Sequence, residues 1–390
     1  MPVLNRAAEL APAVAAWRRD LHRHPELDFD THRTAAFVAD RLREFGCDEV
    51  VTGIGRTGVV GVIRGRSTAS GRVVGLRADM DALPIEEASG VAWASAAPGK
   101  MHACGHDGHT AMLLGAAQHL AETRAFDGAA VVIFQPAEEG GGGGREMVAD
   151  GMMERFGIQE VYGLHNMPGL PVGTFGTRPG PMLAASDTIT IEVFGRGGHA
   201  AQPHQTIDPT IAASAIVLAI QSVVARNVDP IASAVISITS FRTDGDAFNV
   251  IPDRVVELRG TARTLDPAVQ DLLEARLTEL VPAIARGYGA EARLDYHRNY
   301  PVTRNDPDCT AFAAAVAAEV MGPAAVDAAA PPILGAEDFA FMLNARPGAF
   351  LFVGNGDTAK LHNPAYDFND DLIPVGMSYW VKLAESAMPL

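Results

Sequence analysis

The sequence has few cysteines, no excess of basic residues and no long uninterrupted apolar run. Three scattered cysteines are too few for a disulfide framework and favour a reducing, cytoplasmic setting. The chain carries 31 Lys and Arg against 47 Asp and Glu, so its net charge of −16 disfavours nucleic acid or an anionic membrane as main partner. Polar residues interrupt the longest apolar segment, around 211–224, and no stretch reaches the roughly 18 apolar residues of a membrane span. Residues 1–20 lack the basic start and apolar run of a signal peptide.

The first part of the sequence alternates helical and strand patterns. Its 390 residues are 48% hydrophobic, enough for a large core and two domains. Apolar residues at helical spacing over 35–45 predict a helix, and short apolar runs at 73–76, 131–134 and 161–164 predict strands. A helical stretch from about 110 to 120 lies between two of these strands. This pattern predicts an α/β fold with a mostly parallel sheet and helices on both faces.

A different pattern begins near Ser186. Alternation over 189–193, two helical stretches and three further strand stretches, including one from Arg254 to Arg263, give the order β-α-β-β-α-β. This order is typical of a ferredoxin-like α+β unit. The segments after Pro301 return to the first style, so the unit is predicted to be an insertion. We therefore predict one domain at 1–185 and 298–390, interrupted by a smaller domain at 186–297.

The loop 101–109 contains three histidines and one cysteine. Cys104 and His106 are separated by one residue, which places two donors that suit transition metals on one side of a turn. A simpler interpretation is a polar turn that caps a helix beginning at Thr110, with Cys104 merely buried.

Further donors follow two of the predicted strands. Glu138 and Glu139 come after the strand at 131–134, and His165 comes directly after the strand at 161–164. Ligands collect beyond the carboxyl ends of strands in open α/β sheets. Adjacent extended residues point to opposite sides, so one glutamate can bind metal while the other holds the attached water. A solvated acidic turn is the alternative; the glycines at 140–144 can be a connector, and no GK[ST] follows them to support a phosphate loop.

His362, before a proline turn, completes a set of five donors. A lone histidine there is usually structural, but Cys104, His106, Glu139, His165 and His362 are too many ligands for one catalytic metal that also holds water. They suit two metals that share a water and activate it for hydrolysis. Mixed S, N and O donors fit Mn, Zn, Co or Ni.

Several longer motifs occur along nearly the whole chain. They are Arg77-Ala-Asp-Met-Asp-Ala-Leu-Pro84, His102-Ala-Cys-Gly-His-Asp-Gly-His109, Gln135-Pro-Ala-Glu-Glu139, Gly195-Arg-Gly-Gly-His-Ala200 and Gly335-Ala-Glu-Asp-Phe339. Together, and in this order, they resemble the hippurate hydrolase and N-acyl-amino-acid amidohydrolase branch of the aminoacylase-type dinuclear metallopeptidases. The resemblance implies a metallopeptidase-like catalytic domain with an inserted lid that often mediates dimerisation.

The resemblance implies roles for individual catalytic residues. It makes the five donors the metal ligands and Glu138 the general base that takes a proton from water and passes it to the leaving amine. More distant relatives have a His-x-Asp pair where this sequence has Arg77-Ala78-Asp79. Arg77 cannot bind metal, so the cysteine loop must replace it. Asp79 is then expected either to orient a ligand histidine or to be a plain structural aspartate.

The same resemblance implies substrate contacts in the inserted domain. His199 resembles the lid histidine that stabilises the carbonyl oxygen as it becomes an oxyanion, in its own or the partner's site of a homodimer. Asn249 and Arg263 resemble the pair that grips the substrate's end, where an arginine suits a free carboxylate. Gly335 is expected to contact substrate. Each of these could instead be a polar or small residue of the lid surface.

We therefore predict a dinuclear-metal-dependent amidohydrolase that cleaves a small-molecule N-acyl amino acid, such as an N-acetyl or N-benzoyl amino acid. A dipeptidase or carboxypeptidase-like activity at the same site is the nearest alternative. A second mechanism would use Cys104 as nucleophile with His106 as its base. A non-catalytic small-molecule binder is disfavoured because Glu138 and all five donors are present.

Overall fold

The structure is a computed structural model that describes residues 4–245, 247–253 and 255–390. The strands are β1 (Glu49–Ile54), β2 (Gly58–Arg64), β3 (Val73–Asp79), β4 (Ala129–Gln135), β5 (Glu160–Pro168), β6 (Phe175–Gly176), β7 (Gly180–Leu183), β8 (Ala185–Phe194), β9 (Gly198–His199), β10 (Ala234–Thr243), β11 (Val250–Ile251), β12 (Val255–Thr264), β13 (Glu291–Tyr300), β14 (Thr303–Asn305), β15 (Val326–Asp327) and β16 (Gly348–Gly356). The helices are α1 (Asn5–Arg23), α2 (His32–Glu44), α3 (His106–Thr123), α4 (Gly143–Ala149), α5 (Met152–Arg155), α6 (Pro209–Asn227), α7 (Pro267–Gly287), α8 (Pro307–Met321), α9 (Ala340–Ala345) and α10 (Ile373–Ala387). Single 3₁₀ turns lie at Pro203–Gln205, Pro323–Ala325 and Asp370–Leu372.

Contacts along the chain divide it into two units. The larger comprises Met1–Met182, Arg304–Pro331 and Asp338–Leu390. The smaller comprises Leu183–Thr303 and Pro332–Glu337, which extends the predicted range of 186–297 at both ends. Pro332–Glu337 belongs to it because Ile333 forms a β-bridge with Leu183 and Gly335 accepts a hydrogen bond from the N–H of Ala184.

The larger unit contains an eight-stranded mixed sheet with the order β1-β2-β4-β3-β5-β16-β6-β15. The α/β fold is confirmed, but the sheet is parallel only from β4 through β16 and at β6–β15. The pairs β1–β2, β2–β4 and β16–β6 are antiparallel. A connection of three residues, 55–57, joins β1 to β2, and a parallel crossover needs a much longer one. The four central strands, β4, β3, β5 and β16, are therefore parallel, and their carboxyl ends lie at one edge of the sheet.

Helix α3 is buried along most of its length and begins earlier than predicted. The prediction placed its start near Thr110, whereas the helix begins at His106 after Gly105, which adopts a left-handed conformation with φ 90°. A side chain at Gly105 would collide with Asn166 and Tyr366, so glycine is required there. His106 and His109 therefore lie on the first turn of a helix, not in a loop.

The smaller unit is an antiparallel sheet, in the order β10-β12-β8-β13, covered by α6 and α7. Its elements follow the β-α-β-β-α-β order; Arg254, the predicted start of the third strand, lies outside the described residues. Ile189, Ile191 and Val193 of β8 alternate inward and are fully buried. Among the described helices, only α6 is long and apolar enough to cross a membrane by length and composition, a test that core helices of soluble proteins also pass.

Candidate metal centre

The five predicted ligands converge at the carboxyl-end edge of the central strands. Glu139 follows β4, His165 lies near the end of β5, and Cys104 and His106 flank the start of α3. Strand β5 continues to Pro168, so His165 lies inside the strand, opposite Phe352 of β16, and not after it as predicted. His362 lies in the segment after β16 in a left-handed conformation, with φ 61°. The fold thus brings residues separated by more than 250 positions to one place.

Two overlapping groups of donor atoms share Cys104. The donors of Cys104, His106 and His165 lie within 4.8 Å of one another, and so do those of Cys104, Glu139 and His362. The Cys104 Sγ is 3.4 Å from the His165 Nε2, and the His362 Nε2 is 3.2 Å from a Glu139 oxygen. Two groups with one common thiol are a donor set that fits a pair of neighbouring metal ions.

Hydrogen bonds fix which nitrogen each buried histidine offers to the site. The His106 Nδ1–H donates to the Asp81 carbonyl at 2.8 Å, and the His165 Nδ1–H donates to the Asn166 carbonyl at 2.6 Å. In the neutral ring, each Nε2 is then left with a lone pair, as metal binding requires. The His106 Nε2 is buried and has no hydrogen-bond partner among the described residues. The residues present therefore fit a metal at this position.

Negative groups are crowded around the Cys104 thiol. Burial raises the pKa of Cys104 well above its usual value, and Glu139, Glu138 and Asp79 raise it further. Burial also raises the pKa of Glu139, but His362 and His106 outweigh it and lower that pKa. Bound cations would relieve this repulsion and deprotonate the thiol.

Asp79 lies beside two histidines on the first turn of α3. One Asp79 oxygen accepts from the His109 Nδ1–H at 2.6 Å, and the other accepts from Arg77 at 2.7 Å. The His109 Nε2 in turn accepts the backbone N–H of Asn166 at 3.0 Å. His109 is outside the predicted ligand set, but the Asp79 carboxylate also lies 3.7 Å from the Nε2 of His106, a predicted ligand. The orienting role of Asp79 stays a prediction.

Sequence reasoning did not identify three buried residues of this surrounding network, namely Asp81, Asn166 and Tyr366. Asn166 donates to the Cys104 carbonyl at 2.6 Å and accepts from the Tyr366 hydroxyl at 2.7 Å. Asp81 contacts the backbone of both glutamates. The motif around Asp81 and the residues next to His165 were visible in the sequence, but nothing there indicates which backbone groups they bind.

The buried histidine His22 contacts the carboxylate of Asp107, the residue that follows His106. His22 of α1 contacts Asp107 at 2.9 Å and Glu87 at 3.2 Å. Burial lowers the pKa of His22, but the Asp107 carboxylate and then Glu87 outweigh burial and raise that pKa to about 9. The imidazolium form is therefore the one that the folded chain stabilises at neutral pH.

His22 is expected to stabilise the fold at neutral pH and to lose this effect in base. Its folded-state pKa lies above the unfolded value of 6.5, so its contribution is complete below the unfolded value and disappears as the pH rises through about 9. The His22→Gln variant should lose about 1–3 kcal/mol of unfolding free energy near neutral pH. Urea unfolding of both proteins checks this, and the difference should shrink above about pH 9. A difference that is independent of pH would contradict the assignment.

The structure places the four residues predicted to contact substrate in the smaller unit. His199 in β9 pairs with Val250 in β11, and the Ala200 N–H donates to the Asn249 carbonyl at 3.0 Å. His199 and Asn249 are thus neighbours, and both are exposed. Arg263, near the end of β12, has a buried Nη1 without a hydrogen-bond partner among the described residues. Gly335 lies in the segment Pro332–Glu337.

Comparison with known proteins decides the family. Residues 75–386 match Peptidase family M20/M25/M40. The chain belongs to this family. A hippurate hydrolase from Campylobacter jejuni is 43% identical, with 94% of each chain covered, and an N-acetylcysteine deacetylase from Bacillus subtilis is 39% identical with the same coverage. The Bacillus subtilis YXEP protein, described as a dinuclear metal binding peptidase of family M20, superposes with a TM-score of 0.84 at 34% identity, covering 98% of this chain and 99% of that one.

Membership of family M20/M25/M40 confirms the resemblance found in the sequence. It also confirms the prediction of a hydrolase that acts on amide bonds. The roles of the individual site residues stay predictions, although the geometry brings all five candidate ligands together.

Proposed function

We propose that this chain hydrolyses the amide bond of N-acyl amino acids with a pair of divalent metal ions. The ions would be held by Cys104, His106, Glu139, His165 and His362. The convergence of these donors, with two histidine Nε2 lone pairs fixed toward the site, carries the proposal. The family relatives that act on hippurate and N-acetylcysteine support an N-acyl amino acid as substrate. When bound, such ions polarise the amide carbonyl and make water a nucleophile near neutral pH.

Glu138 is the residue that would move the proton. It is 6% exposed, next to Glu139, and belongs to a group of possible ligands with Glu139 and His106. A carboxylate in this position can take a proton from the attacking water and deliver it to the leaving amine nitrogen. The amine leaves as a neutral group only if this proton arrives.

His199 is proposed to stabilise the developing oxyanion. Its Nδ1 accepts the Ala201 backbone N–H at 3.1 Å, so in the neutral ring the proton lies on Nε2. The exposed Nε2–H is then a donor suited to a negative oxygen. This hydrogen bond supports the role that the resemblance implies.

Arg263 and Asn249 are proposed to bind the substrate carboxylate. The buried, unpartnered Nη1 of Arg263 is a guanidinium donor to which the described residues offer no acceptor. A carboxylate would supply the missing acceptor. Gly335 is proposed to lie beside the substrate.

The Arg263→Ala variant is expected to lose about 10–100-fold in kcat/KM, mostly through a higher KM. The loss should disappear for an N-acyl amino acid amide, which has no free carboxylate. Arg259 is a matched control, since it lies on the same strand and pairs with Glu257 at 2.9 Å. Steady-state kinetics of Arg263→Ala and Arg259→Ala on both substrates check the proposal, and an unchanged KM in Arg263→Ala would contradict it.

A carboxypeptidase-like or dipeptidase activity is chemically close to the proposed one. The C-terminal residue of a peptide is itself an N-acyl amino acid with a free carboxylate. A screen of N-acetyl amino acids, N-benzoyl amino acids and dipeptides therefore separates the two. Higher kcat/KM on the N-acyl amino acids supports the proposal, and a clear preference for dipeptides would overturn it.

Metal analysis of the purified protein would distinguish Mn, Zn, Co and Ni.

A homodimer formed by the smaller unit is also proposed. Leu218 and Ile211 of α6 are 76% and 53% exposed, and β10 is an edge strand of its sheet. An apolar helix face beside an open strand edge is suited to a second copy of the same surface. Sedimentation should give a dimer that Leu218→Glu converts to a monomer; a monomeric wild type would contradict the proposal.

The prediction of a cytoplasmic protein is retained as a proposal. All three cysteines are free, which supports a reducing compartment. Fractionation of cells that express the chain would test it, and recovery outside the cytoplasm would contradict it.

A further inference from the structure

The carboxylate of Asp81 binds the backbone of both glutamates at the candidate centre. One Asp81 oxygen accepts the Glu138 N–H at 3.0 Å, and the other accepts the Glu139 N–H at 3.0 Å. Asp81 is 1% exposed, so these contacts are screened from water. Successive backbone N–H groups that point at one anion are a recurrent anion-binding arrangement. Here the anion belongs to the protein itself.

The topology explains why Asp81 reaches these groups. Strands β3 and β4 are parallel neighbours, and Asp79 lies opposite Gln135 in their register. Asp81 and the two glutamates therefore leave the sheet at the same edge, a few residues beyond paired positions. Ala137, which directly precedes Glu138, adopts a left-handed conformation with φ 54°, which an alanine rarely takes. Such a conformation persists only where the surroundings hold it in place.

Asp81 also contacts a third residue of the centre. Its backbone carbonyl accepts the His106 Nδ1–H at 2.8 Å, and one of its carboxylate oxygens lies 3.4 Å from the same nitrogen. A single residue thus fixes the ring orientation of one ligand and the backbone from which another ligand and the base project.

We propose that Asp81 is a positioning residue that holds Glu138 and Glu139 in their working orientation through their backbone amides. This inference rests on the proposed function. In this proposal Asp81 is not a metal ligand, because its carboxylate binds backbone N–H groups. Removal of that carboxylate should therefore alter metal affinity and kcat together. A purely structural carboxylate would change the thermal stability alone.

The Asp81→Asn variant is the direct test. Asparagine has the same shape, but it offers one acceptor oxygen and turns an NH₂ group toward the other backbone N–H. Zinc titration of the metal-stripped full-length chain, in competition with a chromophoric chelator, should show affinity about 10–100-fold weaker than wild type. The kcat on N-acetyl amino acids should fall by a similar factor, with KM nearly unchanged.

Asp306→Asn is a matched control. The Asp306 carboxylate also accepts two backbone N–H groups, those of Asp308 and Cys309, but at the start of α8, which provides none of the candidate ligands. Its zinc affinity and kcat should equal those of the wild type. Asp81→Ser, which leaves room for water beside the two N–H groups, replaces Asp81→Asn if the latter does not fold.

A folded Asp81→Asn protein with wild-type zinc affinity and kcat would overturn the proposal. Failure of both Asp81 variants to fold would also overturn it, because the residue would then be needed for the whole unit. Failure of the proposed function looks different: the wild type itself would then neither bind zinc nor hydrolyse N-acyl amino acids.

Discussion

Replacing Glu138 with glutamine is expected to lower kcat by about 10²–10⁴-fold while metal binding persists. Glutamine has the same size but cannot accept the proton of the attacking water. The Glu138 backbone is held by Asp81, so the substitution should leave the turn in place. Hydrolysis of N-acetyl and N-benzoyl amino acids, measured beside the zinc content of the same preparation, checks this expectation.

Glu139 provides the matched control, since it is adjacent in sequence and has the same chemistry. Its carboxylate lies 3.2 Å from His362 and 3.9 Å from His106, among the candidate ligands. The Glu139→Gln variant should therefore lose metal affinity as well as activity. If Glu138→Gln kept full activity, or lost its metal as Glu139→Gln does, the division of roles between the two glutamates would be wrong.

Removal of metal with a chelator is expected to reduce hydrolysis to the background rate, and added divalent metal should restore it. All five candidate donors lie in two overlapping groups that could each hold a metal ion, and the proposed hydrolysis requires bound metal. Without metal, neither the water nor the amide carbonyl is activated. Activity measured before chelation, after chelation and after metal is restored checks this.

Chelation also tests the alternative mechanism, in which Cys104 is the nucleophile. That hypothesis names His106 as the base, whereas the histidine nitrogen in contact with the Cys104 Sγ is the His165 Nε2, at 3.4 Å, a distance that a thiol–imidazole pair could use. However, burial and the nearby carboxylates of Glu139 and Glu138 raise the pKa of this thiol well above its usual value, which opposes a free thiolate. A thiol enzyme would survive chelation and be inactivated by alkylation. Such a result would overturn the metal mechanism.

The strand pattern of the sequence predicts that Glu139 and His165 converge, because neighbouring parallel strands end at the same edge of a sheet. Apolar runs at 131–134 and 161–164 predicted parallel strands, and parallel strands bring Glu139 and His165 to one edge. The antiparallel edge formed by β1 and β2 lies outside the predicted strands, and the connection of three residues at 55–57 requires these two strands to be antiparallel. The start of α3 was missed because it depends on the left-handed Gly105, which packs against Asn166 and Tyr366 from distant segments.

The network behind the ligands could not be predicted from the sequence. Asp79 is predicted either to orient a ligand histidine or to be structural; its carboxylate accepts from His109, one helical turn from His106, and also lies 3.7 Å from the His106 Nε2. Asp81 is in the same motif, but its partners are backbone N–H groups more than 50 residues away. Every residue except proline has a backbone N–H, so the sequence does not show which of these groups a carboxylate will bind. The neighbouring positions of His199 and Asn249 likewise depend on the pairing of the two-residue strands β9 and β11, which are too short to produce a recognisable sequence pattern.

Zinc titration of the metal-stripped enzyme, followed through hydrolysis of N-benzoylglycine, tests the dinuclear centre most directly. Activity is predicted to rise until about two equivalents of zinc per chain are bound, as expected for a two-metal site. The Glu138→Gln variant should bind the same amount without gaining activity. Full activity before any zinc is added, or fewer than about one equivalent bound with no hydrolysis, would contradict the account.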